Sequence, residues 1–181
     1  MPRYLEHPSK VGRWRDGGFE MLPESAAATE TVWFSIEPDE NGDPVWEGLL
    51  ALTPEPGRAV IAAVPVFAYD VHLGDEVEVV ASAEGPLVAL RPLRDAGRHT
   101  FRVLLGDEGL AAPTRGWVRL QQDLEPYGCW FDVYSPRLVA VSAEPDVARS
   151  VAEFLADEER AGRWQYETGR SAAPEEPRPS L

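Results

Sequence analysis

The sequence predicts an α+β protein in which a small all-β, barrel- or sandwich-like half precedes a ferredoxin-like half of βαββαβ order. Residues 30–96 contain strand-like segments with no helical pattern between them, which is typical of a barrel or sandwich. From residue 97 onward strands and helices follow the order of the split βαβ motif. At 181 residues and 44% hydrophobic content the chain is long enough and apolar enough to bury a core.

In the first half, β-branched and aromatic residues gather in short runs separated by turn-forming residues. Asn41-Gly42-Asp43-Pro44 and Leu73-Gly74-Asp75 are two such turns. The run that follows the second turn alternates charged and apolar residues, which is typical of a half-buried strand. The predicted strands are 31–36, 45–52, 58–64, 76–80 and 87–90.

In the second half, two segments have helical periodicity. Residues 113–125 place Trp117, Leu120 and Leu124 on one face after a proline suited to the first turn. Residues 145–161 also place their apolar residues on one helical face, and a glycine follows them. The predicted strands here are 99–105, 129–134, 137–143 and 164–168.

The two ends of the chain lack such periodicity. Residues 1–29 predict an irregular arm that Trp14 and Phe19 could dock onto the body, and the Pro-rich residues 171–181 predict a disordered tail. Neither end is expected to carry chemistry. The predicted division is an arm at 1–29, an all-β half at 30–96, a ferredoxin-like half at 97–170 and a tail at 171–181.

The charge of the chain excludes some classes of partner. The net charge is −14, and nearly all of it lies within residues 30–170. Such a surface repels phosphate backbones and anionic lipids, so no nucleic-acid or membrane partner is expected. It attracts cationic partners, although solubility alone also explains an acidic surface.

The remaining composition indicates a cytoplasmic protein. No apolar run approaches the length of a membrane-spanning helix, and the N-terminus has no secretory-signal pattern. Cys129 is the only cysteine, which excludes an internal disulfide and a multi-cysteine zinc site. Cys129 is itself expected to be a small buried residue.

Two linked phrases resemble a known bacterial family. They are VPVFAYDVHLGDEVEV at 64–79 and RDAGRHTFRVLL at 94–105. Together with weaker matches between residues 30 and 169, they are similar to the family named domain of unknown function 4265. That family has no established activity, so the resemblance implies a shared fold and assigns no site residues.

The sharpest local anomaly is a run of basic residues at 91–102. It contains four arginines and His99 in an otherwise acidic chain. Arg98 and Arg102 share one face of the predicted strand, where they could clamp a carboxylate or phosphate. The alternative is that these arginines neutralise acidic neighbours within the chain. The predicted ligand-binding residues are Arg98, His99, Arg102 and Asp75.

Other polar residues have weaker claims. His72 or His99 paired with Asp70 or Asp75 could act as a general base, and His72, His99 and Asp75 could bind a metal. The aspartates are more simply explained as turn and strand-entry residues. The sequence contains no catalytic or phosphate-binding motif. It therefore predicts no catalytic residue, no metal and no cofactor, and it favours a protein that is not an enzyme.

The last predicted helix and strand leave two further alternatives open. The acidic run 157–159 is either a binding face or solvated helix surface. Trp164 and Tyr166 either pack the core or line a groove at an edge strand. An RNA-recognition domain is excluded, because the third strand of the βαββαβ half lacks the required aromatic residues.

Two functional hypotheses follow. The first is an acidic binding or regulatory protein, similar to an immunity protein or antitoxin, that neutralises a basic partner protein. The alternative is a site for a small anionic ligand, which is bound or hydrolysed in a cleft between the halves around Arg98, His99 and Arg102. An acidic face favours the first, and a concave pocket containing the arginine cluster favours the second.

Overall fold

The computed structural model describes residues 1–106 and 113–170. Within these ranges the chain forms twelve β-strands in two six-stranded sheets, three α-helices and one 3₁₀ turn. The strands are β1 (Arg3–Glu6), β2 (Gly12–Arg15), β3 (Gly18–Met21), β4 (Glu30–Ile36), β5 (Val45–Glu55), β6 (Arg58–Ile61), β7 (Glu76–Ala81), β8 (Leu87–Arg94), β9 (His99–Leu105), β10 (Trp130–Val133), β11 (Leu138–Ala143) and β12 (Trp164–Thr168). The helices are α1 (Pro23–Ala27), α2 (Pro113–Leu124) and α3 (Ala148–Arg160), and the 3₁₀ turn is Glu125–Tyr127.

The first sheet closes into a five-stranded barrel. Its strand order is β1-β5-β4-β8-β7-β6, and the second half of the long strand β5 pairs with β6 to complete the closure. The first half of β5 pairs in parallel with β1, along the same edge of β5 that its second half uses to pair with β6. Aliphatic residues fill the barrel interior, including Val32, Leu49, Ala51, Ile61, Val77 and Val79. The prediction of an all-β, barrel-like first half therefore agrees with the structure.

The second sheet has the order β12-β9-β11-β10-β2-β3, and all its pairs are antiparallel. Alternate residues of β9 and β11 point to opposite faces, as strand geometry requires. Phe101, Val103 and Val141 join the core that contains residues of α2 and α3. The opposite face contributes Ala140 and Trp130 to a second core, against the segment that follows β6.

The structure corrects the prediction of an irregular N-terminal arm. Residues 3–6 form a strand on the barrel, while 12–15 and 18–21 form a hairpin on the second sheet. These strands have four residues each, too few for a visible period, and they are held by pairing with distant strands. The predicted disordered tail at 171–181 lies outside the described residues.

The other predicted elements are present with shifts of a few residues at their ends. The segment expected to run as strand to residue 64 ends at Ile61, and the strand expected to end at residue 90 extends to Arg94. The second half contains its elements in the expected β-α-β-β-α-β order. The molecule is thus a strand-dominated α+β protein. Across residues 1–106 and 113–170, no helix combines the length and apolar character needed to cross a membrane.

Candidate functional site

Residues 62–75, here called the strap, connect β6 to β7 and pass between the barrel and the second sheet. Val64, Val66 and Leu73 pack on the second-sheet side, whereas Ala68 and Val71 pack into the barrel. An irregular buried segment must find partners for its backbone N–H groups. A buried carboxylate on the neighbouring strand β5 accepts hydrogen bonds from several of these groups.

Glu47 of β5 supplies partners for three consecutive N–H groups of the strap. Its carboxylate accepts hydrogen bonds from the backbone nitrogens of Val66 at 2.7 Å, Phe67 at 3.1 Å and Ala68 at 2.5 Å. Burial alone raises the pKa of the Glu47 carboxyl, but hydrogen bonds from His7 and from the strap outweigh burial and lower the pKa. A charged carboxylate is therefore held inside the protein, where it fixes the strap.

His7 joins this carboxylate to the second sheet. Its Nε2 lies 2.8 Å from Oε1 of Glu47, and its Nδ1 lies 2.8 Å from Oδ2 of Asp132 on β10. The side chain of His7 is only 1% exposed, and both carboxylates are fully buried. Burial acts to lower the pKa of His7, yet the two carboxylates raise it to about 9. At neutral pH the ring is a cation that donates from both nitrogens.

This arrangement, the His7 junction, is structural rather than catalytic. Both ring nitrogens of His7 are already hydrogen-bonded, so neither can take a proton from a substrate or bind a metal. The ring also lies edge-on to Tyr134, at 5.8 Å between centroids, and Tyr134 meets Phe67 of the strap in the same manner at 5.0 Å. The junction thus connects β1, the barrel, the strap and the second sheet.

Next to the strap lies a groove formed by two neighbouring cavities of about 510 and 500 Å³. The first cavity is bounded by β4, the strap and β12, and the second by the strap, β9, β11 and β12. Both volumes are within the range of ligand sites. Four residues line both cavities: Val66, Phe67, Arg102 and Glu167.

Arg102 lies at the base of this groove and is 3% exposed. Its guanidinium donates to Oε1 of Glu167 at 2.9 Å and to the carbonyl oxygen of Ala68, and it stacks on the Tyr69 ring at 4.0 Å. The Tyr69 hydroxyl donates to the same Glu167 oxygen at 3.1 Å. The positive charge of Arg102 is therefore already compensated within the protein.

The walls of the groove are acidic and aromatic. Arg102 is the only basic residue among those described along the two cavities, which are also lined by four carboxylates: Glu37, Asp70, Glu159 and Glu167. The aromatic residues are Phe34, Phe67, Tyr69 and Tyr166. Such walls attract a cation, because carboxylates pair with positive charge and aromatic faces add cation–π attraction.

Of the four residues predicted to bind a ligand, only Arg102 lines this groove. Asp75 accepts hydrogen bonds from the backbone nitrogens of His72 and Ala96, both at 2.8 Å, and so ties its own turn to the segment between β8 and β9. Arg98 pairs with Glu144. His99 begins β9 opposite Ala143. The charged groups of Asp75, Arg98 and Arg102 thus have separate partners.

All four arginines of the basic run 91–102 are paired with glutamates. Arg91 lies 2.6 Å from Glu78, and Arg94 lies 2.8 Å from Glu76. The other two pairs are the ones described for Arg98 and Arg102. The geometry therefore supports intramolecular neutralisation over an anion clamp.

His72 has a structural position as well. It is buried, and its Nδ1 lies 2.9 Å from the hydroxyl of Thr100. Burial lowers the pKa of His72 to about 4, so the ring is neutral at physiological pH. In the described part of the chain, no cluster of His, Cys, Asp and Glu residues is suited to hold a metal ion.

Sequence reasoning missed the His7 junction and most of the groove. One available signal was the position of Glu47 and Asp132, each a carboxylate inside an apolar strand segment, Val45–Leu52 and Trp130–Val133. A buried carboxylate requires hydrogen bonds or a cation. The identity of that cation was not readable, because His7 lies 40 and 125 positions away from its partners.

Comparison with known proteins identifies the family of this chain. The model of a family described as "Domain of unknown function (DUF4265)" matches residues 47–166. The chain belongs to this family. The DUF4265 match includes Glu47, the strap, Arg102 and Asp132, while His7 lies outside it.

One solved structure is similar over most of the chain. It is a hypothetical protein from Neisseria gonorrhoeae, with a TM-score of 0.62 and 16% sequence identity, covering 80% of this chain and 96% of that one. At this identity the likeness shows the fold alone. No curated protein matches the chain.

Proposed function

We propose that this member of the DUF4265 family is a non-enzymatic binding protein whose groove takes a basic segment of a partner protein. The observation that carries the proposal is the charge of the groove: four carboxylates line it with one arginine that is already paired. The net charge of −14 would speed the approach of such a partner.

The shape of the groove suits lysine or arginine side chains. Their aliphatic stems can lie on apolar walls while the charged head reaches a carboxylate at the rim. Phe67 and Leu104 offer such a wall, and Glu159 offers such a rim in the same cavity. Tyr69, which is 47% exposed, presents a further aromatic surface next to Glu167.

In a cell this activity would correspond to the neutralisation of a basic protein, as an immunity protein or antitoxin does. We place the protein in the cytoplasm on the same proposal. The strand order β12-β9-β11-β10, with α2 and α3 as the two crossovers, supports a ferredoxin-like assignment for the second half.

A second candidate function is the binding of a small anionic ligand at Arg102. One observation favours it: Nε of Arg102 is buried and has no hydrogen-bond partner within the described structure. A ligand carboxylate would have to displace Glu167 from the guanidinium and enter between acidic walls. The two candidates differ in the charge of the ligand that binds, which is positive for the first and negative for the second.

Fluorescence anisotropy of a labelled peptide in which arginine and threonine alternate tests the first candidate. Glu37→Gln and Glu159→Gln should each weaken binding by about two- to fivefold, since exposed ion pairs contribute roughly 0.2–1 kcal/mol. Glu84→Gln is the matched control, because Glu84 is exposed in the turn between β7 and β8.

An equal loss of affinity for all three variants would contradict a localised site and indicate attraction by overall charge. Absence of binding to the wild-type protein would reject the proposed function. Thermal unfolding in the presence of citrate tests the second candidate. If Arg102 binds anions, citrate shifts the thermal unfolding of the wild-type protein, and Arg102→Gln abolishes the shift.

A further inference from the structure

The strand β12 lies at an open edge of the second sheet. Among residues 1–106 and 113–170, β9 is the only strand that pairs with it. Within these ranges, one row of its backbone groups therefore has no strand partner. Such an edge is a template for a further strand.

The hydrogen bonds at the two ends of β12 show which groups point outward. The Gly106 nitrogen donates to the carbonyl of Arg163, and the Gly169 nitrogen donates to the carbonyl of Thr100. Residues 163, 165, 167 and 169 therefore direct their backbone groups toward β9. By alternation, the backbone groups of Trp164, Tyr166 and Thr168 point away from β9.

A carboxylate accepts the hydrogen bond from the central outward N–H group of β12. The Tyr166 nitrogen donates to Oε1 of Glu159 at 3.3 Å. This oxygen takes the hydrogen bond that a carbonyl oxygen of an added strand would take. The bond is long and exposed, so its replacement costs little.

The outer edge of β12 adjoins the groove. Gln165, Tyr166 and Glu167 line the same cavity as Val66, Phe67 and Leu104. In a strand added beside β12, every second side chain would face this cavity, because strand side chains alternate between faces. Glu159, once released from Tyr166, becomes available to pair with a basic side chain.

We propose that the partner's basic segment binds by adding a strand to β12, with alternate lysine or arginine side chains entering the groove. This inference rests on the proposed function and specifies how it is carried out. Charge complementarity identifies the occupant, since Glu159 lies beside the outward groups of Tyr166 and the groove carries four carboxylates against one arginine. The specificity then lies in alternation of the basic residues, and the main-chain hydrogen bonds supply affinity.

Four peptides with the same arginine and threonine content test this mode by fluorescence anisotropy. The first alternates arginine and threonine, and the second carries the arginines as one block. The third and fourth are the alternating peptide N-methylated at every second residue, on one edge or on the other. Strand addition predicts that the alternating peptide binds at least about fivefold more tightly than the block isomer. It also predicts that N-methylation on the pairing edge abolishes the advantage, whereas methylation on the opposite edge does not.

A variant of the protein provides an independent readout. Thr168→Pro removes one outward N–H and leaves the pairing of β12 with β9 intact. It should weaken binding of the alternating peptide and leave binding of the block isomer unchanged. Thr168→Ala, which keeps the N–H, should change neither affinity. Circular dichroism of both variants verifies that they fold. If Thr168→Pro does not fold, the N-methylated peptides decide alone.

The outcomes separate the two proposals. Equal affinities for all four peptides, with weaker binding in Glu159→Gln, would overturn strand addition and leave the acidic groove as the binding site. No binding of any peptide to the wild-type protein would overturn both. A preference for the block isomer would also overturn strand addition.

Discussion

Removal of the His7 side chain should destabilise the protein severely. His7→Ala leaves Glu47 and Asp132 as two fully buried carboxylates without their shared cation. Breaking a buried ion pair by removing one partner costs about 3–5 kcal/mol. The elevation of the His7 pKa from 6.5 to about 9 independently corresponds to about 3 kcal/mol.

Such a loss is a large part of the roughly 5–15 kcal/mol that stabilises a typical domain. Urea unfolding at pH 7, followed by tryptophan fluorescence, measures it. Glu6→Ala is a suitable control, because Glu6 is the exposed residue that ends β1 directly before His7, and its loss should cost less than about 0.5 kcal/mol. The triple variant His7→Leu/Glu47→Gln/Asp132→Asn should recover part of the loss, because it leaves no buried charge.

The pH dependence gives a second test of the same reasoning. The folded-state pKa of His7 exceeds its unfolded value, so its contribution is complete below about pH 6.5 and disappears as the pH rises through 9. The wild-type protein should lose stability across that interval, and His7→Ala should not. A His7→Ala protein within about 1 kcal/mol of wild type at pH 7, or one with an unchanged pH profile, would refute the account of the junction.

Three other outcomes follow from the structure. Because burial lowers the pKa of His72 to about 4, its neutral form contributes stability above pH 6.5 that is lost as the pH falls toward 4. In urea unfolding measured across this pH range, His72→Gln should reduce the loss of stability toward acid pH. An unchanged loss would contradict the buried, neutral state of His72. A Cβ on Gly48 would lie 2.9 Å from the Trp33 ring, so Gly48→Ala should cost about 1–3 kcal/mol in thermal unfolding. Gly18→Ala, whose Cβ would meet only the Arg15 carbonyl oxygen at 3.8 Å, should be nearly neutral. Burial raises the pKa of Cys129 to about 12, so Ellman's reagent should react with it only after denaturation, and rapid labelling of the native protein would contradict its burial.

Much of the fold could be predicted because its elements are locally encoded. Alternation of charged and apolar residues marked β7, and a helical apolar stripe marked α2 and α3. The N-terminal strands carry no such signal, since each has four residues and depends on a distant neighbour. Trp14, for example, pairs with Phe19 within the hairpin, while the hairpin itself is held at Gly12 by Phe131.

The candidate site was less predictable, because its contacts join residues far apart in sequence. The basic run around Arg102 was visible locally, but its partners Ala68 and Glu167 lie 34 and 65 positions away. Sequence alone could not distinguish an arginine that clamps a ligand from one that is already paired. The net charge of −14, by contrast, follows from composition, and the cationic partner that we propose for it stays a prediction.

A titration of ¹⁵N-labelled protein with the alternating arginine–threonine peptide tests the central claim most directly. Amide chemical shifts locate the peptide on the chain without any mutation. If the groove binds a basic segment, the changes concentrate on residues 66–70 of the strap and on β12, and they saturate. Changes that spread over the whole acidic surface without saturation, or that cluster away from the strap and β12, would contradict the account.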